Sequence, residues 1–252
     1  MVLNALSLLE GRQIIVVGGT GNVGFFLVKT FASAGAKVVV TSRSTKKVDR
    51  LRERLGRDLA GGLSALLGDF GTPESAAALR AQMRAAAPEV FAGVAASASW
   101  HQVPSMIQAG FADFRHVIET RLFAHYLAAE TILGLLPGEG SYATMNGDAG
   151  FSGPPYPGTG AISVSSAAQG KLMEAWGAET GGSPRVNDVV MMASIGPDGA
   201  RPGSPLTGPE VGVFVAALAS PLGASVHNRS IRLRSPHQVE AALRGEFGES
   251  DR

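Results

Sequence analysis

At 252 residues the chain has room for one α/β domain or two small ones, and a composition 45% hydrophobic and 17% charged can bury a large core and is not that of a disordered protein. A formal net charge of +1 gives no reason to expect nucleic acid or an anionic membrane as partner, and the absence of cysteine rules out disulfides and thiolate metal sites. Met1-Val2-Leu3-Asn4-Ala5-Leu6 lacks the basic start and unbroken apolar core of a secretion signal, and no run of about 18 apolar residues is present to span a bilayer, so a soluble, cytoplasmic protein is expected.

The first predicted strand is Ile14–Val17, four β-branched residues in a row, as suits a strand buried on both faces. It breaks into Gly18, Gly21 and Gly24, and a helical pattern runs from Phe25 to Phe31. Strand, glycine turn and helix form the context that a dinucleotide-binding turn requires. Glycines let the backbone approach a pyrophosphate, and the free N–H groups of the helix start face the anion. The candidate cradle is therefore Gly18, Thr20, Gly21, Asn22, Val23 and Gly24; the alternative is a tight turn with no ligand.

A second strand spans Ala36–Thr41 and is followed by Ser42-Arg43-Ser44, where an NAD-binding unit would carry an acid for the ribose hydroxyls. Arg43, flanked by Ser42 and Ser44, favours the 2′-phosphate of NADP(H) over NAD(H), with Lys46 and Lys47 adding positive charge. The same residues also read as a solvated basic helix start, since Arg50, Arg52 and Arg54 come next. A helix over Lys46–Leu55 leads to a third strand, Leu63–Leu67, ending at Gly68-Asp69-Phe70. Asp69 is placed either to bond an adenine amino group, with Phe70 beside it, or to begin the turn into a helix capped by Thr72 with Pro73 at its first position.

Ala76–Ala87 reads as helix and Val90–Ala95 as the fourth strand, after which Ala96-Ser97-Ala98-Ser99 are small enough for a cofactor to lie against the backbone. A long helical region covers Phe111–Leu136, with Val117, Leu122, Tyr126 and Ala129 near helical spacing. The fifth strand lies around Ser141–Met145, and the Gly- and Pro-rich loop Asn146–Gly160 sits at its tip, where function tends to be found. A helix over Ser163–Ala178, a buried strand Arg185–Met192, a second loop Ile195–Pro209 suited to a lid, a helix Glu210–Leu218 and a strand Ser230–Leu233 complete the chain. No repeat or linker breaks the alternation. It predicts a single doubly wound (Rossmann) α/β domain over residues 1–252, with a mostly parallel sheet of about seven strands and helices on both faces.

In their joint order these landmarks resemble the short-chain dehydrogenase/reductase family over nearly the full length. The segment Leu9-Glu10-Gly11-Arg12 looks like its usual lead-in, Asp69 falls where the family has an adenine-binding Asp, Arg185-Val186-Asn187 opens the sixth strand, and Pro209 through Ser220 resembles its late helix. The spacing of Gly18, Gly21 and Gly24 is similar to the extended and atypical branches. The resemblance implies an NADP(H)-dependent oxidoreductase acting on a small molecule, paired as a homodimer or homotetramer through helices around Phe123–Leu127 and Leu172–Trp176.

The family's catalytic set is Asn, Ser, Tyr and Lys, with the Tyr moving the proton and the Lys lowering its pKa. Alignment by landmark places Arg121, Gly147, Ile162 and Ser166 at those positions, and Lys171 has Ala167 four residues before it. The standard apparatus is therefore expected to be missing. The remaining proton-transfer candidates are Tyr156, Asp148 and His101, with Asn146 and Tyr156 as substrate contacts; Arg121 reads as a solvated helix residue or an anion contact, and His116 and His125 as packing residues. No His pair has metal-ligand spacing, so no metal is expected. Three functions are compatible with this pattern: an NADP(H) oxidoreductase with altered proton transfer, a non-catalytic NADP(H) sensor or partner subunit, and a non-redox dehydratase or isomerase using Asp148 or Tyr156.

Overall fold

The computed structural model describes residues 5–98 and 100–248; Met1–Asn4 and Ser99, which figure in the sequence expectations, lie outside these. The central sheet contains β1 (Gln13–Val17), β2 (Lys37–Ser42), β3 (Leu63–Leu67), β4 (Val90–Ala95), β5 (Ser141–Gly147) and β6 (Arg185–Met191). A small hairpin, β7 (Ile195–Gly196) and β8 (Gly199–Ala200), precedes the seventh sheet strand, β9 (Arg229–Leu233). The order is β3-β2-β1-β4-β5-β6-β9 and each neighbouring pair is parallel. This is a doubly wound α/β domain.

The run Ile14–Val17 is apolar throughout because the sheet is covered on both sides. Ile14 and Val16 enter one core with α1 (Asn22–Ser33), α2 (Thr45–Leu55), α7 (Gly208–Ala219) and α8 (Pro236–Ala242). Ile15 and Val17 enter the other with α3 (Pro73–Ala86), α5 (Ala124–Leu133) and α6 (Gly160–Thr180). The short helix α8 is not anticipated by the sequence pattern, nor is the β7–β8 hairpin inside the second Gly/Pro loop.

The long helical region is broken in two places. The helix α4 (Met106–Ile118) has a non-helical Gly110 (φ 76°, ψ −174°), so regular helix begins at Phe111 as predicted. Between α4 and α5, Glu119–Phe123 forms a π-turn. The wide turn inserts an extra residue and rotates the face beyond it. Of the residues at helical spacing, Val117 and Ala129 are buried and Tyr126 is exposed, and Arg121, read as a solvated helix residue or an anion contact, is only 7% accessible.

A buried cation locks α7 to β6. The Arg185 guanidinium donates to the carbonyls of Leu218 (3.1 Å), Ser220 (3.3 Å) and Gly223, so the end of α7 and the turn after it meet a positive charge. Arg185→Met should remove these buried charge-assisted bonds and cost about 3 kcal/mol, a fall of roughly 6–10 °C in Tm. Arg185→Lys should restore only part of the loss, because an ammonium cannot span several carbonyls. Thermal melts of the three proteins check this.

Candidate functional site

The strand order reverses between β1 and β4, and in open α/β sheets ligands bind in the crevice at such a switch point, beyond the carboxyl ends of the strands. Both tips there are built for close approach. Gly18 has φ 78°, and a Cβ on it would sit 2.9 Å from the backbone of Ala96 and Ser97. A Cβ on Gly24 would lie 2.1 Å from the Gly18 carbonyl, so the first turn of α1 rests directly on the loop. Gly21 occupies the N-cap of α1 with no side-chain cap, which leaves the first N–H groups of a twelve-residue helix facing outward. Gly21 and Asn22 are exposed at the crest, and Thr20 and Val23 are half-buried beside them.

Arg43 projects into solvent just past the end of β2. Among the described residues no acid forms an ion pair with Arg43, Lys46 or Lys47. Ser42 is buried and ties the turn by donating to the Ser44 carbonyl, while Ser44 caps α2 through Lys47 N. Of the two readings of Asp69, its Oδ1 is used in the turn, accepting from Gly71 N (2.9 Å) and Ser75 Oγ (3.0 Å). Phe70, expected beside a ligand, has its ring buried in the core with Leu79 and Met83 instead, leaving only its backbone for contact.

Around the cleft's other half the candidate residues separate. Ile162 and Ser166 are both buried on α6, and Lys171 points to solvent paired with Glu174. His101 is bound by Asp113 of α4 (2.9 Å). Tyr156 is 68% accessible, and its carbonyl takes the Thr159 hydroxyl at 2.7 Å. Asp148 is exposed in a single 3-10 turn, where its carbonyl accepts from Phe151 and Ser152. Asn146, expected as a substrate contact, is turned inward. Its Nδ2 donates to Ser166 O (2.9 Å) and Asp188 Oδ2 (2.9 Å), so both donors are committed and a substrate carbonyl would find none.

The loops are also less free than their composition suggests. Val103 N donates to Gly158 O and Gln102 Nε2 to Pro157 O, lacing the segment after β4 to the Pro-rich loop. Arg54, exposed on α2, donates to Pro197 O (2.6 Å) and stacks 3.6 Å from the centre of the Phe25 ring, which holds the β7–β8 hairpin against α1. Among the described residues no helix is long and apolar enough to cross a membrane. Among the same residues no group of three or more His, Asp or Glu is placed to hold a metal ion.

The sequence profile of the short chain dehydrogenases matches residues 12–192, well over half of the chain. The chain belongs to the short-chain dehydrogenase/reductase family. Solved structures agree in fold. A dehydrogenase/reductase from Sinorhizobium meliloti superposes with a TM-score of 0.80 at 23% identity, covering 91% of this chain and 96% of that one. A short-chain dehydrogenase/reductase from Serratia marcescens gives 0.78 at 19%, covering 89% and 97%. A short chain dehydrogenase from Mycobacterium smegmatis gives 0.79 at 20%, covering 91% and 94%. No functionally curated protein matches by sequence. Members of the family bind a nicotinamide nucleotide, and the glycine cradle at the β1/β4 switch point fits one: α1 would meet the pyrophosphate with its open N–H groups, and a side chain at Gly18 or Gly24 would close the turn.

In this family member two buried clusters of ionisable side chains flank the cleft, and the sequence reading singles out neither as such. On the π-turn side, Arg121 lies beside His125, which is fully buried. Burial and then the Arg121 charge push the imidazole down to about 4, opposed by the nearby Ser97 backbone; among the described residues neither ring nitrogen has a partner in hydrogen-bonding geometry. Burial also lowers the Arg121 pKa. On the β6 side, Asp188 accepts from Thr144 Oγ1 (2.5 Å), Asn146 Nδ2 (2.9 Å) and Gln169 Nε2 (3.5 Å). Burial raises its carboxyl to about 6 against these three donors, with Glu174 adding a smaller push upward. An acid inside the predicted buried strand Arg185–Met192 is the available signal, since a charge there needs partners.

The two groups act oppositely on stability. His125 has a depressed pKa, so its contribution is present above about 6.5 and lost as pH falls toward 4. Asp188 has a raised pKa, so its contribution is present below about 3.8 and lost as pH rises through about 6. In the native protein they offset each other across this window. Asp188→Asn should unmask the histidine and make urea stability fall more steeply between pH 6.5 and 4.5, by about 2 kcal/mol. His125→Phe should reverse the slope. Parallel slopes in all three proteins would contradict the assignment.

Proposed function

We propose that this family member is an NADP(H)-binding oxidoreductase that acts on a small organic substrate without the Tyr and Lys pair of the standard proton relay. The observation that carries the cofactor preference is Arg43, exposed at the β2 tip where an acid would otherwise bind ribose hydroxyls, with Lys46 and Lys47 just beyond it and no acidic partner among the described residues. A guanidinium there can take a 2′-phosphate through two parallel hydrogen bonds. When bound, the nucleotide supplies hydride chemistry. The chain's own residues supply binding at the glycine turn, orientation between the β1 and β4 tips, and exclusion of water by the loops around Tyr156 and Pro197.

The altered relay rests on Ile162 and Ser166, which carry neither an acid nor a cation and are both buried. Reduction of an activated double bond or a stabilised cation demands less acid catalysis than reduction of an ordinary ketone, and this class of substrate suits the cleft. The same two residues favour the second reading, an NADP(H) sensor or partner subunit without turnover. Pairing of two copies through the exposed Phe123, with Tyr126 packed on Trp176 at 5.6 Å between ring centres, is part of the proposal.

Isothermal titration should give tighter binding of NADPH than of NADH by about tenfold, and Arg43→Ala should bring the two within about twofold; equal affinities in the unaltered protein would refute the role of Arg43. A panel of ordinary ketones with NADPH should show no turnover, whereas activated enones or iminium compounds should be reduced. Robust ketone reduction would overturn the altered relay, and silence on both panels with intact NADPH binding would leave the sensor.

A further inference from the structure

The hydrogen bonds around Asp188 form a chain that runs from the middle of β6 to the backbone of the cleft. Asp188 and Thr144 are register partners on neighbouring strands, so the carboxylate stands between β5, β6 and α6. Asn146, two residues beyond Thr144 on the same face of β5, connects it to two backbone groups: its Nδ2 reaches Ser166 O on α6, and its Oδ1 accepts from Gly147 N at 2.9 Å. Gln169, one helical turn on from Ser166, donates to Met145 O (3.2 Å) as well as to Asp188. The β5 tip is thus gripped at Met145 and Gly147 by side chains that both lean on one carboxylate.

The turn beyond Gly147 depends on that grip. Asp148–Gly150 packs so closely on α6 that a Cβ on Gly150 would sit 2.4 Å from Ala167 N. The Phe151 ring comes within 2.8 Å of where a Cβ on Gly170 would be, and Asp188 Oδ2 lies 3.5 Å from the same point. Three donors converge on Asp188, and only an ionised carboxylate is acceptor-only. An amide there would direct its N–H groups at Gln169 Nε2 or at Asn146 Nδ2, depending on its orientation. Rotating the Asn146 carboxamide to compensate would face its N–H toward Gly147 N.

We infer that Asp188 is a positioning residue which, through Asn146 and Gln169, holds Gly147 and the Ser166 turn of α6 in register and so sets the shape of the cleft beside the β4 tip. It touches neither cofactor nor substrate. The charged or titratable groups near it are Glu174 on α6, Tyr142 on β5 and Arg229 on β9, and none of them takes part in the chain of bonds from Asp188 to Gly147.

The test uses full-length protein at pH 7.5 and compares it with Asp188→Asn, Asn146→Ala and the double variant. Hydrogen–deuterium exchange at Gly147–Phe151 should rise about fivefold in each single variant while β1–β3 stay unchanged. The double variant should exchange no faster than Asn146→Ala alone, because both changes cut one chain of bonds. NADPH affinity should fall about fivefold in Asp188→Asn. Unchanged exchange, additive effects, or faster exchange with unaltered NADPH affinity would overturn the inference; the last would make the cluster purely structural. The affinity readout rests on the proposed NADP(H) binding. If the unaltered protein binds no NADPH, that proposal fails, and the exchange comparison alone decides the role of Asp188.

Discussion

Gly18 leaves β1 with its backbone pressed against that of Ala96 and Ser97 at the end of β4, and the ligand side of the molecule is laid out from this contact. The two strands are hydrogen-bonded neighbours whose connections leave in opposite directions, so a crevice opens where their chains part. Any side chain at Gly18 would push the tips apart, and any at Gly24 would lift α1 off the turn. Because neither exists, the α1 N-terminus faces the crevice with its N–H groups uncovered by a cap. The basic tip of β2 and the turn of Asp69 take their places on one side of that opening, and β5 with α6 take theirs on the other.

The two sides are held by different physics. The glycine-turn side is apolar packing under an open rim: Val16, Val28 and Val40 fill the space beneath the turn, and the charges of Arg43, Lys46 and Lys47 remain in water. The other side keeps its charges inside. Arg121 and His125 stand at the π-turn, and Asp188 stands beneath α6 with three donors around it. Buried charge is costly unless bonded in a fixed geometry. The bonded cluster around Asp188 therefore resists small displacements, whereas the open rim keeps its charges free in water.

Much of this is legible in the sequence, and the legible parts share a cause. Ile14–Val17 reads as a doubly covered strand, Thr72-Pro73 as a helix start and Phe111 as the beginning of regular helix, because each is set by neighbours within a few residues. The glycine turn is legible for the same reason. The Asp69 alternatives cannot be separated from sequence, since Gly71 N and Ser75 Oγ compete for its carboxylate at distances that only folding sets. Residue type suggests solvent for Arg121, but it lies one helical turn after the buried Val117 and is itself buried at the π-turn. Position at a strand tip offers Asn146 to a substrate, yet Ser166 and Asp188, 20 and 42 residues away, already hold both its donors.

The sequence by itself therefore determined the order of the seven sheet strands and of the main helices between them, the cradle of Gly18, Gly21 and Gly24, and the absence of Tyr and Lys from positions 162 and 166. These are properties of local spacing and residue identity. Only the tertiary structure decided which polar groups spend their hydrogen bonds inside the protein, which arginines are solvated and which are locked, and how Arg54 reaches the β7–β8 hairpin. A side chain's chemistry is its own, but its availability is set by whatever lies within about 3 Å of its polar atoms. For Asn146, Arg121 and Asp188 those neighbours come from other strands and helices.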